Sequence, residues 1–232
     1  MTVFEPRPSP NFGSRDKTIK IDMLVIHYTG LPSTEVSLER MCDPKREVSA
    51  HYLIDEGGTI YQLVNEKNRA WHAGVSYWDG ETDTNSRSIG IELQNPGHEW
   101  GYTQFPLLQM EALRELSQDI MSRYQISNRL VLGHSDVAPG RKNDPGHLFN
   151  WEWLAKSGVG FWPEPMPVIG PMDSVSIRKS LNNIGYDPRA KFVDVITAIQ
   201  QHYRPERVDG QIDADCVSII NALKNEKPKR NP

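Results

Sequence analysis

Short apolar runs along the chain predict buried β-strands. Residues 21–27 form a continuous apolar run that is too short for a helix and ends in His27, and residues 130–132 form a second run shortly before His134. Residues 88–94 alternate apolar side chains with smaller or polar ones. Runs of this length and pattern are typical of strands buried within a sheet.

Other stretches carry turn or helix signals. Residues 50–64 predict a β-hairpin, because two apolar segments flank a Gly-Gly pair. A cap at Ser33 or Thr34 predicts a short helix that ends at Met41. Residues 106–124 place a proline first and then repeat apolar residues every three or four positions, which predicts a longer amphipathic helix.

The pattern changes after residue 158. Residues 159–173 are rich in proline and glycine and predict a semi-rigid linker, and three helical patterns follow at 175–184, 192–203 and 213–223. Because three short helices form only a marginal core, we expect them to dock on the preceding domain. Strands interleaved with helices, followed by helices alone, indicate an α/β domain with a small helical domain. The predicted division is an N-terminal arm at 1–20, an α/β domain at 21–158, the linker at 159–173 and a helical domain at 174–232.

Composition narrows the class of protein. The 232 residues are 38% hydrophobic and 24% charged, as in a globular protein with a core, and the net charge of −4 gives no basic surface for nucleic acid. No apolar run is long enough to span a membrane. Two cysteines without CxxC spacing predict neither a disulfide nor a thiolate metal site. The first residues lack a signal peptide, so we expect a cytoplasmic protein, or a periplasmic one if an upstream segment is removed.

Residues at the ends of the predicted strands carry possible hydrolytic chemistry. His27, His134 and Asp144 supply three ligands, the number found in catalytic zinc sites that keep one position open. Glu92 could exchange a proton with water and a leaving amine, and Lys142 could stabilise an oxyanion. Each residue also has an ordinary structural interpretation: a core histidine, a turn before proline, or an exposed glutamate on an edge strand. Spacing alone leaves both interpretations open.

A resemblance to a known family favours the first interpretation. Five motifs, in matching order, resemble those of zinc-dependent N-acetylmuramoyl-L-alanine amidases of the AmpD/AmiD branch: IDMLVIHYTG, SAHYLIDEGGTIYQLV, RAWHAG, NSRSIGIELQNPG and VLGHSDVAPGRKNDPG. The resemblance implies a central mixed β-sheet flanked by helices. It implies that His27, His134 and Asp144 bind Zn²⁺, that Glu92 is the general base and that Lys142 assists catalysis. Related phage and recognition proteins carry cysteine as third ligand, so Asp144 favours this branch.

The resemblance also implies a substrate and a cleft. The substrate would be peptidoglycan or an anhydro-muropeptide, cut between N-acetylmuramic acid and L-alanine during wall recycling or turnover. Trp71, His72 and Ala73 match a motif that lines the family's cleft, and His72 is an alternative metal ligand. His51 is predicted to be a core histidine, and His98, His147 and His202 belong to no evident cluster.

The helical tail is similar to peptidoglycan-binding three-helix domains in its LNNIGYDP and VDGQIDADC segments, but residues 192–203 lack the usual Phe-Gln pair. The tail therefore either binds wall polymer or is a packing appendage. For the chain as a whole, two alternatives to the amidase remain. One is a binding module that has lost its metal, and the other is a zinc hydrolase of a different amide. The oligomeric state is not readable from the sequence.

Overall fold

A computed structural model describes residues 4–16, 18–164, 166–167 and 173–225 of the chain. Residues 165 and 168–172 of the predicted linker lie outside the described residues, as do residues 1–3, 17 and 226–232. The strands are β1 (Glu5–Pro6), β2 (Phe12–Ser14), β3 (Met23–Tyr28), β4 (Tyr52–Ile54), β5 (Ile60–Gln62), β6 (Asn68–Ala70), β7 (Ser88–Leu93) and β8 (Val131–Gly133). The helices are α1 (Thr34–Cys42), α2 (Thr84–Arg87), α3 (Gly97–Trp100), α4 (Leu107–Tyr124), α5 (His134–Val137), α6 (Trp151–Lys156), α7 (Ser174–Ile184), α8 (Phe192–Tyr203) and α9 (Ala214–Asn225).

A mixed six-stranded sheet with the order β1-β5-β4-β7-β3-β8 forms the centre of the described structure. The strands β4, β7, β3 and β8 run parallel, whereas β4 and β5 form the predicted antiparallel hairpin. The predicted mixed sheet flanked by helices is confirmed. The parallel arrangement gathers the carboxyl ends of neighbouring strands at one edge of the sheet, where open α/β sheets usually bind ligands.

The strand β3 is apolar throughout because both of its faces are covered. Leu24 and Ile26 face a core that includes residues of α4, such as Leu113. Met23 and Val25 face a second core that includes α7, α8 and α9. The helical domain therefore docks on one face of the sheet, as the sequence predicts.

The N-terminal arm is more deeply integrated than an extended surface segment. The strand β1 adds to the edge of the main sheet, and β2 pairs with β6 in a separate two-stranded sheet. The Arg15 guanidinium donates hydrogen bonds to the backbone carbonyls of Glu66, Asn85, Ser86 and Ser88. These bonds fix the arm across the loop that leads into β7.

The elements that the sequence did not predict are all short. They include β6 and the helices α2, α3 and α5, which are too short to display a hydrophobic period. In the part of the chain that the structure describes, no helix combines the length and the apolar character needed to cross a membrane. Cys42 and Cys216 are free cysteines in the structure.

Candidate active site

The predicted site residues meet at the carboxyl edge of the parallel strands. In the register of the sheet, His27 on β3 lies opposite Glu92 on β7, and Ile26 lies opposite Gly133 on β8. His134, the next residue after Gly133, therefore lies beside His27. Strand pairing thus aligns side chains that are far apart in the sequence.

The three predicted ligands converge on one point. His27 Nδ1 lies 2.9 Å from His134 Nδ1 and 3.0 Å from Asp144 Oδ2, and the distance between His134 Nδ1 and Asp144 Oδ2 is also 3.0 Å. In a tetrahedral site with metal–ligand distances near 2 Å, ligand atoms are about 3.3 Å apart. The three side chains are buried and could hold a metal ion with only a small outward adjustment.

Hydrogen bonds on the far side of each imidazole suit this assignment. If both Nδ1 atoms bind metal, both Nε2 atoms carry the proton and must donate it. His134 Nε2 lies 3.0 Å from the Ala73 carbonyl oxygen, which can accept that bond. His27 Nε2 lies 3.0 Å from His72 Nδ1, which can accept the other. Both acceptors therefore suit the tautomer that a metal needs.

The chain of donors continues behind His72. Its Nε2 lies 3.2 Å from Ser88 Oγ, and the Ser88 hydroxyl donates to the Thr84 carbonyl at 2.5 Å. His72 therefore supports His27 from behind and is not part of the group of three converging ligand atoms. A Cβ at Gly90 would overlap the His72 ring, so the glycine of β7 leaves room for this imidazole.

Burial and neighbouring groups favour the metal-binding protonation states of His27 and Asp144. Burial, reinforced by His134, lowers the pKa of His27 to about 4, so the imidazole is neutral near pH 7. Burial opposes ionisation of Asp144, but the two histidines outweigh it and hold the pKa of that carboxyl well below its usual range. Two imidazoles and one carboxylate are a ligand set suited to zinc.

Glu92 differs from the ligands because one of its carboxylate oxygens is buried without a hydrogen-bond partner in the part of the chain that the structure describes. The residue is 7% exposed, and its Oε2 atom is buried without a hydrogen-bond partner among the described residues. Burial, together with the charge of Asp144, raises the pKa of Glu92 to about 8. A carboxyl group with a pKa near neutrality can both accept and return a proton.

Glu92, His134 and Asp144 line a cleft of about 570 Å³. Its charged and aromatic lining includes Tyr28, Arg40, His72, Glu92, His98, Glu99, Trp100, His134, Arg141, Lys142 and Asp144. Trp100 is 60% exposed, which leaves an indole face available to a ligand. Arg141 donates to the carbonyls of Ala73 and Val75 and so ties the loop after β8 to the loop after β6.

The structure also places the remaining predicted residues. Of the three predicted substrate-binding residues, His72 lines the cleft, whereas Trp71 and Ala73 are not among its described lining residues. Ala73 contributes the carbonyl that receives His134. Two further residues of the cleft wall, Tyr28 and His98, were not predicted to belong to the site. The Tyr28 hydroxyl lies 2.8 Å from His98 Nδ1. Only strand pairing brings them together, so no local motif marks them.

Two other histidines, His51 and His202, are buried and form hydrogen bonds away from the cleft. His51 is fully buried and accepts a hydrogen bond from the Gly90 backbone at Nδ1, which confirms the core interpretation. His202 was expected to belong to no cluster, and this was wrong. Its Nδ1 lies 2.7 Å from Asp136 Oδ2 in a buried pair. The partner is 66 residues away in sequence, so the pair depends on docking of the helical domain.

Comparisons with known proteins agree with this geometry. A family model described as N-acetylmuramoyl-L-alanine amidase matches residues 17–147. The chain is 38% identical over 230 residues to N-acetylmuramoyl-L-alanine amidase AmiD of Escherichia coli, covering 88% of this chain and 82% of that protein. It is also 38% identical over 162 residues to 1,6-anhydro-N-acetylmuramyl-L-alanine amidase AmpD of Haemophilus influenzae, covering 62% of this chain and 86% of that protein.

A solved structure is similar over almost the whole length. It is the complex of AmiD from E. coli with the substrate anhydro-N-acetylmuramic acid-L-Ala-D-γ-Glu-L-Lys. The TM-score is 0.81 at 36% identity, and the match covers 92% of this chain and 93% of that one. The similarity therefore extends through the helical domain as well as the sheet.

Proposed function

The chain belongs to the N-acetylmuramoyl-L-alanine amidase family, and from this we propose that its cleft hydrolyses the amide between N-acetylmuramic acid and L-alanine with the help of one Zn²⁺ ion. One observation carries the assignment of the site. Three ligand atoms from His27, His134 and Asp144 lie within 3.0 Å of one another beside the unpartnered carboxylate of Glu92.

The metal would be held by the two Nδ1 atoms and the Asp144 carboxylate. Three protein ligands that leave one position open are typical of catalytic zinc. When bound, Zn²⁺ supplies a Lewis acid that polarises the lactyl carbonyl and acidifies water. The hydrogen bonds from the imidazole Nε2 atoms to His72 and Ala73 orient the ligands for this task.

Glu92 and Lys142 would carry out the remaining steps. The Glu92 carboxylate takes a proton from the attacking water and returns it to the nitrogen of L-alanine as the amide bond breaks. Lys142 lies two residues before Asp144 and lines the same cleft, so its ammonium can stabilise the negative charge that develops on the lactyl oxygen.

The substrate we propose is a peptidoglycan fragment, with or without the 1,6-anhydro sugar. The AmiD structure that this chain resembles contains an anhydro-muramyl peptide. In this chain the exposed Trp100 offers an apolar face to a sugar ring. Arg40 and Arg141 line the same cleft and can attract the carboxylates of a stem peptide.

We propose that the described architecture follows the predicted division, with an amidase domain at 21–158 and a helical domain from residue 174. The family match at 17–147 and the all-helical composition from Ser174 onwards support that division. Whether the helical domain also binds wall polymer can be measured separately, with insoluble peptidoglycan in a sedimentation assay.

The test combines metal analysis with product analysis. Purified protein should contain one zinc per chain and should convert anhydro-N-acetylmuramyl tripeptide into anhydro-N-acetylmuramic acid and free tripeptide, identified by mass spectrometry. Removal of the metal by a chelator should abolish the conversion, and added Zn²⁺ should restore it. We expect a loss of at least about a thousandfold, because several kcal/mol of transition-state stabilisation come from the metal.

An acyl-L-alanyl tripeptide without the sugar is the matched control substrate. Comparable cleavage of this peptide would contradict the assignment to muramyl amides and favour a broader amidase. Binding of muropeptide without cleavage by the zinc-loaded protein would instead indicate a recognition module.

A further inference from the structure

A buried aspartate lies directly behind the metal-binding edge of the sheet. Asp136 is in the four-residue helix α5, two residues after His134, and has no exposed surface. Its Oδ2 atom accepts a hydrogen bond of 2.8 Å from the Gly133 backbone N–H. The carboxylate therefore fixes the turn from which the His134 side chain projects. The mechanism proposed above does not use it.

The other partners of Asp136 come from the helical domain. The Tyr186 hydroxyl donates to Oδ1 at 2.8 Å, and His202 Nδ1 lies 2.7 Å from Oδ2. The His202 ring is stacked between Trp151 of the amidase domain and Tyr203 of its own helix, with both ring centroids 3.8 Å away. Stacking on both faces fixes the plane of the imidazole and so the direction of its bond.

Two further contacts tie the helical domain to loops around the cleft. The Asp79 backbone N–H donates to the Gly185 carbonyl at 2.8 Å, and a Cβ at Gly185 would lie 2.7 Å from the Trp78 ring. A Cβ at Gly140, in the loop that leads to Asp144, would overlap the carboxylate of Asp194 on α8. The helical domain therefore contacts residues 78–79 as well as the loop that leads to Asp144.

We propose that Tyr186 and His202 are positioning residues for the metal centre, which hold Asp136 and helix α5 so that His134 Nδ1 points at the metal. This inference rests on the metal site assigned under the proposed function. It gives the helical domain a part in the amidase reaction that does not require binding of wall polymer. Loss of an outer partner of this kind typically weakens metal binding or activity by about 10- to 100-fold.

The test compares metal binding in single variants with that of the wild type. Tyr186→Phe removes the donor and keeps the ring. We expect its zinc affinity, measured by chelator competition, to fall by about tenfold. The visible absorption of the Co²⁺-loaded variant should differ from that of the wild type, because the ligand geometry changes. We expect a lower kcat on anhydro-muramyl tripeptide with KM nearly unchanged.

Tyr52→Phe is the matched control. It removes a similar buried bond, from the Tyr52 hydroxyl to Glu66 Oε1 at 2.8 Å, in a cluster that includes none of the three ligands. Its thermal stability should fall about as much as that of Tyr186→Phe, while zinc affinity and the Co²⁺ spectrum stay at wild-type values.

A pair of variants at His202 keeps the inference testable if Tyr186→Phe does not fold. Asn can place an N–H donor where His202 Nδ1 lies, whereas Leu cannot. His202→Asn should keep zinc affinity within about threefold of the wild type, and His202→Leu should lose about tenfold.

The outcomes separate this inference from the proposed function. If the wild type binds zinc and the variants at positions 186 and 202 bind it equally well, with changes in stability alone, the positioning role is wrong and the amidase assignment stands. If the wild type itself binds no zinc, the metal centre fails and the positioning role fails with it.

Discussion

Two buried glutamates of the amidase domain have almost the same exposure and opposite surroundings. Glu66 is 8% exposed and Glu92 is 7% exposed. Both oxygens of Glu66 accept hydrogen bonds, from Tyr52, Tyr124 and the Arg123 guanidinium. Glu92 has a buried Oε2 atom without a partner among the described residues and faces the cleft.

The difference appears in the proton affinities of the two groups. Burial opposes ionisation of Glu66, but the bonds from Arg123 and the tyrosines outweigh it and lower the pKa. At Glu92, burial and the charge of Asp144 outweigh the opposing charge of Lys142, and the pKa rises to about 8. A buried carboxylate whose oxygens all accept hydrogen bonds stabilises a fold. A buried carboxylate with an oxygen that lacks a hydrogen-bond partner beside a cleft is available for proton transfer. Burial alone therefore does not identify a catalytic residue.

Glu92→Gln should give the largest effect. It removes the proton acceptor and keeps the shape, so we expect kcat to fall by about 10²- to 10⁴-fold, with the fold and the zinc content retained. Muropeptide cleavage, metal analysis and thermal unfolding measure the three quantities. A fully active variant would remove the general-base assignment.

Lys142→Ala should have the next largest effect. Loss of one stabilising charge at a developing oxyanion typically reduces kcat by about 10²-fold or somewhat more. We expect KM for the muropeptide to change much less than kcat. Lys156→Ala is the control, because Lys156 is exposed and paired with Glu152 on α6. An equal, small effect of both variants would argue against a catalytic role for Lys142.

Glu66→Gln should affect stability and leave catalysis intact. The variant loses charged hydrogen bonds to Arg123, which is itself partly exposed. We therefore expect the free energy of unfolding to fall by about 1–3 kcal/mol. The readouts are urea unfolding and kcat on the same preparation. A large fall in kcat without a change in stability would erase the contrast between the two glutamates.

The pH dependence of stability, measured on metal-free protein, should also separate the two glutamates. The pKa of Glu92 is higher in the folded protein than in the unfolded chain, so the folded state holds this proton more tightly. The contribution of Glu92 to wild-type stability therefore falls as the pH rises from about 4.5 to about 8. The stability of Glu92→Gln relative to the wild type should therefore increase by about 1 kcal/mol per pH unit over that window.

Glu66 should show the opposite dependence. Its folded-state pKa is lowered, so its contribution is present above the unfolded value and is lost as pH falls through the folded one. The loss in free energy of unfolding that Glu66→Gln causes should become smaller below about pH 4.5. Parallel pH profiles for the two variants, measured by urea unfolding, would contradict the comparison.

Local patterns were sufficient for the longer elements, whereas the candidate site residues also needed the family resemblance. The apolar run at 21–27 predicted β3, and the three- and four-residue spacing at 106–124 predicted α4. The predicted ligands His27, His134 and Asp144 are brought together in the structure. The two elements were predictable because strand and helix periods are written in consecutive residues.

The tertiary structure alone decided which distant residues meet. The register that sets His27 opposite Glu92, the support of His27 by His72, and the contact of His202 with Asp136 all join residues at least 45 positions apart. A sequence pattern predicts on which face of a strand or helix a side chain lies. It does not predict which other strand or helix packs against that face. That partner is selected by the packing of whole elements, because only the assembled sheet and its docked helices bury these polar groups beside one another.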